Sequence, residues 1–261
     1  MGHTRIGRLN RSRQWRDVMA SFCAGADSNQ IAKQVLAAAS AGLNENSLSG
    51  DSAYQKAVEL LVQMGIGGQS GNFIEHMRSC GIALSDRPSA QELIAKLGQA
   101  VDNVAWDAGA IKTDLGDHAK QALSNAITAC MRSERSGELP GMPQRFDSEI
   151  FNSFGTRANF AELNRVFISK VMAHSLNFYL AQVIPNLVGR AQRVMSVHEL
   201  NASYEALGQH CYETAQVHKV YANEWLGKHQ YQLKDMNEVS MKKHANFMVM
   251  KMMRALKYGK D

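Results

Sequence analysis

The residues best suited to chemistry in this chain are its four cysteines and nine histidines. The cysteines stand singly, at Cys23, Cys80, Cys130 and Cys211, and no two of them form a C-x-x-C pair. Structural zinc sites need clustered ligands, and disulfide frameworks occur in short, cysteine-dense secreted chains. We therefore expect buried, reduced thiols and a cytoplasmic location.

Two groups of histidines and acids have helical spacing. His210 and His218 are eight residues apart with Glu213 between them, and Asp114 lies four residues before His118. Neither group matches H-E-x-x-H or the E-x-x-H of carboxylate bundles, and His210 and His218 would lie about 12 Å apart along an ideal helix. We expect no metal and no cofactor, and we interpret Asp114 as a helix N-cap.

The segment GIGGQSGN, residues 65–72, resembles a phosphate-binding loop in composition. No lysine completes a Walker pattern, and a helix rather than a strand is predicted before it. We therefore expect a helix end followed by a flexible turn. The chain has no G-x-S-x-G elbow, but the members of a Cys-His pair meet only in the fold, so an enzyme with an unrecognised site stays open.

The elements that must position these residues are predicted to be helices. The chain has 4 prolines and few runs of β-branched residues, so its composition favours an all-α fold of about eight to ten helices in a bundle. Helical spacing and start signals place Asp51 or Ser52 at one N-cap, with Ala57, Leu60 and Met64 facing inward. Apolar periodicity predicts the longer helices over residues 15–24, 28–43, 53–64, 89–109, 114–135, 160–184, 198–232 and 237–259.

The best linker candidate is SGELPGMPQ, residues 136–144, which has two prolines and two glycines. A linker at this place divides the chain into a basic arm over 1–16, a helical lobe over 17–135, the linker itself over 136–146 and a second lobe over 147–261. A single bundle-like domain is the alternative. The most apolar stretch, residues 166–188, contains Lys170 and Pro185, so we interpret it as a core helix and expect no transmembrane segment.

Charge is concentrated at the two ends of the chain. Residues 1–16 hold five arginines and no acid, and residues 234–261 hold seven Lys/Arg against three acids. The intervening residues carry a net charge of −4 and the whole chain +5. This asymmetry favours a partner with negative charge, which includes acidic proteins, nucleic acids and membrane surfaces.

The basic arm is the first candidate contact surface. Its arginines have no consistent helical spacing, so we expect an extended segment before Trp15. Such an arm can bind phosphates or, by forked hydrogen bonds, acidic side chains. The candidate partner-binding residues are Arg5, Arg8, Arg11, Arg13 and Arg16.

The C-terminal helix is the second candidate contact surface. Its methionine-rich apolar stripe suits an irregular protein groove or an anionic membrane, and the alternative is packing on its own bundle with the basic face in water. The stripe comprises Met241, Ala245, Met248, Met252 and Leu256. The basic residues off that stripe are Lys243, Arg254 and Lys257.

Three stretches resemble a family of uncharacterised bacterial helical proteins. They are TRIGRLNRSRQWRDVM, IKTDLGDHAKQALSNAI and the block that begins FAELNRVFISK. Members of that family accompany multi-gene cassettes, including anti-phage ones. The resemblance implies a bacterial cytoplasm and a multi-protein setting, and it carries no catalytic residue to this chain.

The sequence therefore favours a non-enzymatic helical interaction or scaffold subunit of a bacterial multi-protein complex. Other protein subunits are the expected partners, and a homo-oligomer stays open. A nucleic-acid-binding module that uses the same basic ends is the second hypothesis, and an enzyme with an unrecognised site is the third.

Overall fold

The computed structural model describes residues 13–40, 50–107, 113–138, 144–183, 197–229, 243–248 and 250–251. These residues form an all-α fold of ten helices, which confirms the predicted class. The helices are α1 (Arg13–Ala24), α2 (Ser28–Ser40), α3 (Ser52–Gln69), α4 (Phe73–Ser79), α5 (Ala90–Asp107), α6 (Asp114–Ser136), α7 (Asp147–Ile150), α8 (Arg157–Val183), α9 (Val197–Thr214) and α10 (Gln216–His229). A 3-10 helix, Phe151–Gly155, follows α7, and residues 243–248 and 250–251, here called the C-terminal segment, are also helical.

The longest helix, α8, lies at the centre of the fold. It packs against α2, α3, α6, α9, α10 and the 3-10 helix. Its apolar residues occur around most of its circumference, as expected of a helix enclosed by others, and Phe160, Leu163, Phe167 and Leu176 are fully buried. No helix in the described ranges is long and apolar enough to cross a membrane.

Helix α3 begins where its sequence predicts. The Asp51 carboxylate accepts a hydrogen bond of 2.8 Å from the backbone N–H of Tyr54, which satisfies one free donor of the first turn. The predicted inward residues Ala57, Leu60 and Met64 are all fully buried. Local capping chemistry and 3.6-residue periodicity were therefore sufficient to orient this helix.

The glycine-rich stretch is not a break, and this part of the prediction was wrong. Helix α3 continues through it to Gln69, and the turn comes later, at Gly71, whose φ is +70°. A Cβ on Gly68 would fall 2.2 Å from the backbone nitrogen of Gly155. These glycines therefore let the 3-10 helix approach the backbone of α3, and this close packing offsets their low helix propensity.

Two further boundaries differ from the sequence prediction. Thr113, not Asp114, caps α6, because its hydroxyl accepts a 2.9 Å hydrogen bond from the N–H of Gly116. The predicted helix over 198–232 is divided at Ala215, which lies between α9 and α10. Element ends depend on such single contacts and are harder to predict than element type.

The main hydrophobic core draws residues from both sides of the predicted linker. Leu61 and Leu123 share it with Phe151 and Phe167, and all four are buried. At the edges of the linker, the Arg135 guanidinium pairs with the Asp147 carboxylate, which also accepts a hydrogen bond from the N–H of Ala90. The described helices on the two sides therefore share one hydrophobic core.

Candidate functional site

The last two arginines of the basic arm lie on helix α1. Trp15, Val18 and Phe22 face the core and are buried, whereas Arg13 and Arg16 are exposed. Arg13 and Gln14 are already helical, which corrects the predicted extended conformation at these two residues. Arg13 and Arg16 are therefore one turn apart on the same face of α1. Arg5, Arg8 and Arg11 lie outside the described residues.

The C-terminal segment packs against the chain through Ala245 and Met248, the two described members of the predicted apolar stripe. Ala245 and Met248 are buried in the main core, and Lys243 is exposed. Met248 therefore contacts the chain itself, which is the alternative that the sequence left open. Met241, Met252, Arg254 and Lys257 lie outside the described residues.

The opposite face of this segment is an exposed stripe that the sequence analysis did not single out. Lys243, Phe247 and Met250 follow one another at helical spacing, and Phe247 and Met250 are 41% and 38% exposed. We call these three residues the C-terminal stripe. The Phe247 ring lies 4.5 Å from the ring of Tyr221 on α10, and the Lys251 ammonium lies over both rings. These contacts fix the exposed aromatic ring in place.

A pair of buried histidines lies between α10 and the C-terminal segment. The His244 ring lies 4.4 Å from the Trp225 ring and is nearly fully buried. His218 is completely buried, and neither of its ring nitrogens has a hydrogen-bond partner among the described residues. Burial, together with the nearby Lys251 and His244, lowers the pKa of His218 to about 3. This histidine is therefore neutral in the folded protein at ordinary pH.

A long groove opens between α6, α8 and α9, and we call it the central groove. Its volume is about 960 Å³. The small residues Ala129, Ala158, Ala173 and Gly208 form part of its lining. Polar side chains on the lining are Ser133, Asn159, Glu162, Ser169, Lys170, His174, Asn177, Tyr204, Glu205, Gln209, Tyr212 and Lys219. Ligand sites in proteins commonly have volumes of about 300–1,000 Å³, so this groove is large enough to be a candidate ligand site.

At one end of the central groove the charges neutralise each other. The Glu162 carboxylate accepts hydrogen bonds of 2.6 Å from the Tyr212 hydroxyl and 2.8 Å from the Lys219 ammonium. Burial alone would raise the pKa of Glu162, but the hydrogen bonds from Lys219 and Tyr212 outweigh it, so the pKa is lowered. The Arg165 guanidinium lies 3.7 Å from the centre of the Tyr212 ring. The polar groups at this end are therefore already paired with one another.

At the other end His174 and Lys170 lie on the same side of α8. The Asn125 amide donates to His174 Nε2 over 3.2 Å, and His118 stacks against the His174 ring at 6.1 Å. Burial, with the charge of Lys170 adding to it, lowers the pKa of His174. Burial, with the proximity of His174, lowers that of His118 to about 4. Both imidazoles are therefore neutral near pH 7.

Cys80, Cys130 and Cys211 are not activated nucleophiles. Burial raises the pKa of both Cys130 and Cys211 to about 12, so their thiols stay protonated. Cys80 lies 3.7 Å from His76 Nε2, but that nitrogen donates to the Gln63 carbonyl and cannot accept the thiol proton. Burial also raises the pKa of Cys80. These three cysteines therefore give no support to the hypothesis of an enzyme with a Cys-His pair.

The histidine groups from the sequence do not form a metal centre in the described ranges. No three His, Cys, Asp or Glu side chains there are placed to hold an ion. The fold instead brings His118 to His174 and His218 close to His244. These pairs join distant parts of the chain, so sequence spacing carried no signal for them.

Comparison with known proteins gives no relative. No protein-family model, curated protein or solved structure matches the chain.

Proposed function

We propose that this protein is a non-enzymatic interaction subunit of a bacterial multi-protein assembly and that it docks through the C-terminal stripe. The observation that carries the proposal is the two-sided C-terminal segment. One face, with Ala245 and Met248, is buried in the core, while the other holds Phe247 and Met250 in solvent. A helix anchored in this way presents a preformed apolar surface, and little conformational entropy is lost when a partner covers it.

The charges around the stripe define its partner. Lys243 lies on the stripe, and the Lys251 ammonium lies 5.5 Å from the centre of the Phe247 ring. Aromatic side chains and methionine are enriched in protein interfaces, and surrounding charges select the partner. We therefore infer a partner protein with an apolar hollow bordered by acidic residues.

Arg13 and Arg16 extend the same preference to a second surface. Both are exposed on a helix that is anchored by Trp15 and Phe22. Arginine forms forked hydrogen bonds with carboxylates, so an acidic protein face suits this pair. Three free thiols, Cys80, Cys130 and Cys211, support a cytoplasmic setting, because thiols persist where the environment is reducing.

Co-purification with the products of the neighbouring genes tests the proposal. Each neighbour is co-expressed with the tagged chain, in wild-type form and as the double variant Phe247→Asp, Met250→Asp. We expect one neighbour to co-purify with wild type and its affinity for the double variant to fall at least tenfold, because a charge replaces each apolar anchor. Phe146→Asp is the matched control, since Phe146 is an exposed aromatic residue elsewhere on the surface.

The outcomes separate the alternatives. Absence of any co-purifying neighbour, or equal retention by the double variant, would falsify the proposed docking surface. Retention of DNA or RNA on a filter at about 50 mM salt, lost steeply by about 200 mM, would instead favour nucleic acid as the partner of Arg13 and Arg16.

A further inference from the structure

The central groove is long and narrow. Its lining residues on α8 run from Ala158 to Asn177, a distance of about 28 Å along an ideal helix. A volume of about 960 Å³ over that length gives an average cross-section of about 34 Å². Such dimensions suit a ligand shaped like a chain rather than a compact molecule. An extended peptide of about eight residues has the same length.

Gly208 keeps the groove open at a cost to helix α9. A glycine inside a helix is less favourable than alanine by about 0.5–1 kcal/mol. At Gly65, packing explains the glycine, because a Cβ there would fall 2.4 Å from the Phe160 ring. At Gly208 a Cβ would meet no atom of the described residues within 4 Å. Packing among the described residues therefore does not require a glycine at position 208, whereas a ligand that lies against this part of α9 would.

The groove offers hydrogen-bonding groups of the kind that bind peptide backbone. Every residue of an extended peptide presents an N–H donor and a C=O acceptor that need partners. Asn177 Oδ1 is buried and accepts no hydrogen bond from any described residue. Gln209 and Tyr204 line the α9 wall, and Gln209 keeps its side-chain carbonyl while its amide donates to Glu213. Amide and hydroxyl side chains of this kind can both donate and accept.

The charge in the groove is positive at Lys170. Glu162 is paired with Lys219, whereas Lys170 on α8 and Glu205 on the α9 wall are both exposed and form no ion pair with the described residues. Its ammonium is close enough to oppose protonation of His174. A carboxylate placed beside Lys170 would be stabilised by this charge in a partly enclosed site.

We propose that the central groove binds an extended peptide segment of a partner protein, with a carboxylate of the peptide at Lys170 and the peptide backbone over Gly208. The site is separate from the C-terminal stripe, so the two proposals stand or fall independently.

Selection of displayed random 12-residue peptides against the full chain tests this proposal. The selected sequences are synthesised with a fluorescent label, and their dissociation constants are measured by anisotropy. We expect peptides with Asp or Glu to be enriched. Gly208→Leu should weaken their binding at least tenfold, because the leucine occupies the groove. Its melting temperature should not fall, because the space beside residue 208 is open.

Three further variants show whether the loss of peptide binding is specific to the central groove. Lys170→Glu should also weaken binding at least tenfold, whereas Gln121→Leu, which adds a leucine at an exposed position on α6 outside the groove, should not. The Phe247→Asp, Met250→Asp variant should bind the peptides like wild type. Failure to enrich any peptide, or unchanged affinity of Gly208→Leu, would overturn the proposal. Full displacement of the peptides by an equal concentration of succinate would do the same, because a compact anion would then be sufficient.

Discussion

Gly68 of helix α3 lies directly against Gly155 of the 3-10 helix. A Cβ on Gly68 would fall 2.2 Å from the Gly155 nitrogen, and a Cβ on Gly155 would fall 2.1 Å from the nitrogen of Gln69. Both distances are far below van der Waals contact, and both involve backbone atoms that cannot rotate away. This backbone contact joins the two sides of the predicted linker, since α3 precedes it and the 3-10 helix follows it.

The first prediction concerns this contact. Gly68→Ala should lower the free energy of unfolding by about 3 kcal/mol or more, because the methyl group forces the two backbones apart. For a chain of this size the melting temperature should fall by roughly 10 °C, measured by circular dichroism. Gly98→Ala on α5 is the control, since its Cβ would lie 3.5 Å from the flexible Lys120 side chain and should be tolerated. Equal stability of the two variants would contradict the close packing.

The second prediction concerns the glycine that lines the central groove. Gly208→Ala should raise the free energy of unfolding by about 0.5–1 kcal/mol, because alanine is the better helix former and the added methyl meets open space. Urea denaturation gives the value. A loss of stability would show that part of the chain already fills the space beside Gly208.

The third prediction concerns pH. The pKa of His218 is about 3 and that of His118 about 4 in the folded state, against an ordinary value of 6.5. Between these pKa values and pH 6.5, His218 and His118 are protonated to a larger extent in the unfolded chain than in the folded chain. Stability should therefore fall as the pH is lowered through this window.

His218→Leu should make that pH dependence less steep. It removes one such group, so the slope of unfolding free energy against pH between about pH 4.5 and 6 should decrease by up to about 1.4 kcal/mol per pH unit. The variant breaks no hydrogen bond with the described residues. His198→Gln, at an exposed position on α9, is the control. An unchanged slope in His218→Leu would mean that His218 is not buried as described.

The fourth prediction concerns thiol reactivity. At pH 8 a thiol with a pKa of about 12 is ionised to about one part in ten thousand, so Cys130 and Cys211 should resist alkylation until the chain unfolds. Cys80 is partly exposed and should react first of these three. Iodoacetamide labelling followed by peptide mass spectrometry measures the order. Labelling of Cys130 as fast as Cys80 in the native protein would contradict the described core.

The sequence predicted a helix correctly where local hydrogen bonding and the spacing of apolar residues determine it. The Asp51 cap and the buried face of α3 follow from spacing and local hydrogen bonding alone. It failed at Gly68, because a glycine that ends a helix and one that admits another backbone look the same locally. Only the fold, which brings Gly155 to Gly68, distinguishes them.

The candidate sites were predictable only in part. The sequence predicted a contact surface on the basic C-terminal segment but not the exposure of Phe247, because the prediction followed the methionine-rich stripe, whose Met248 is buried. The central groove joins Ala129, Val166 and Gly208 from three helices, so no single window of sequence contains it. Gly208 gave the one available signal, a glycine in the middle of a strongly helical tract.

Hydrogen exchange across the C-terminal stripe tests the central claim most directly. Backbone amide exchange is measured by mass spectrometry for the free chain and for its complex with the co-purified partner. The peptide that covers residues 243–251 should exchange more slowly in the complex, and the peptide around Phe146 should not change. Unchanged exchange over 243–251 in a saturated complex would show that the partner docks elsewhere and would contradict the proposed function of the stripe.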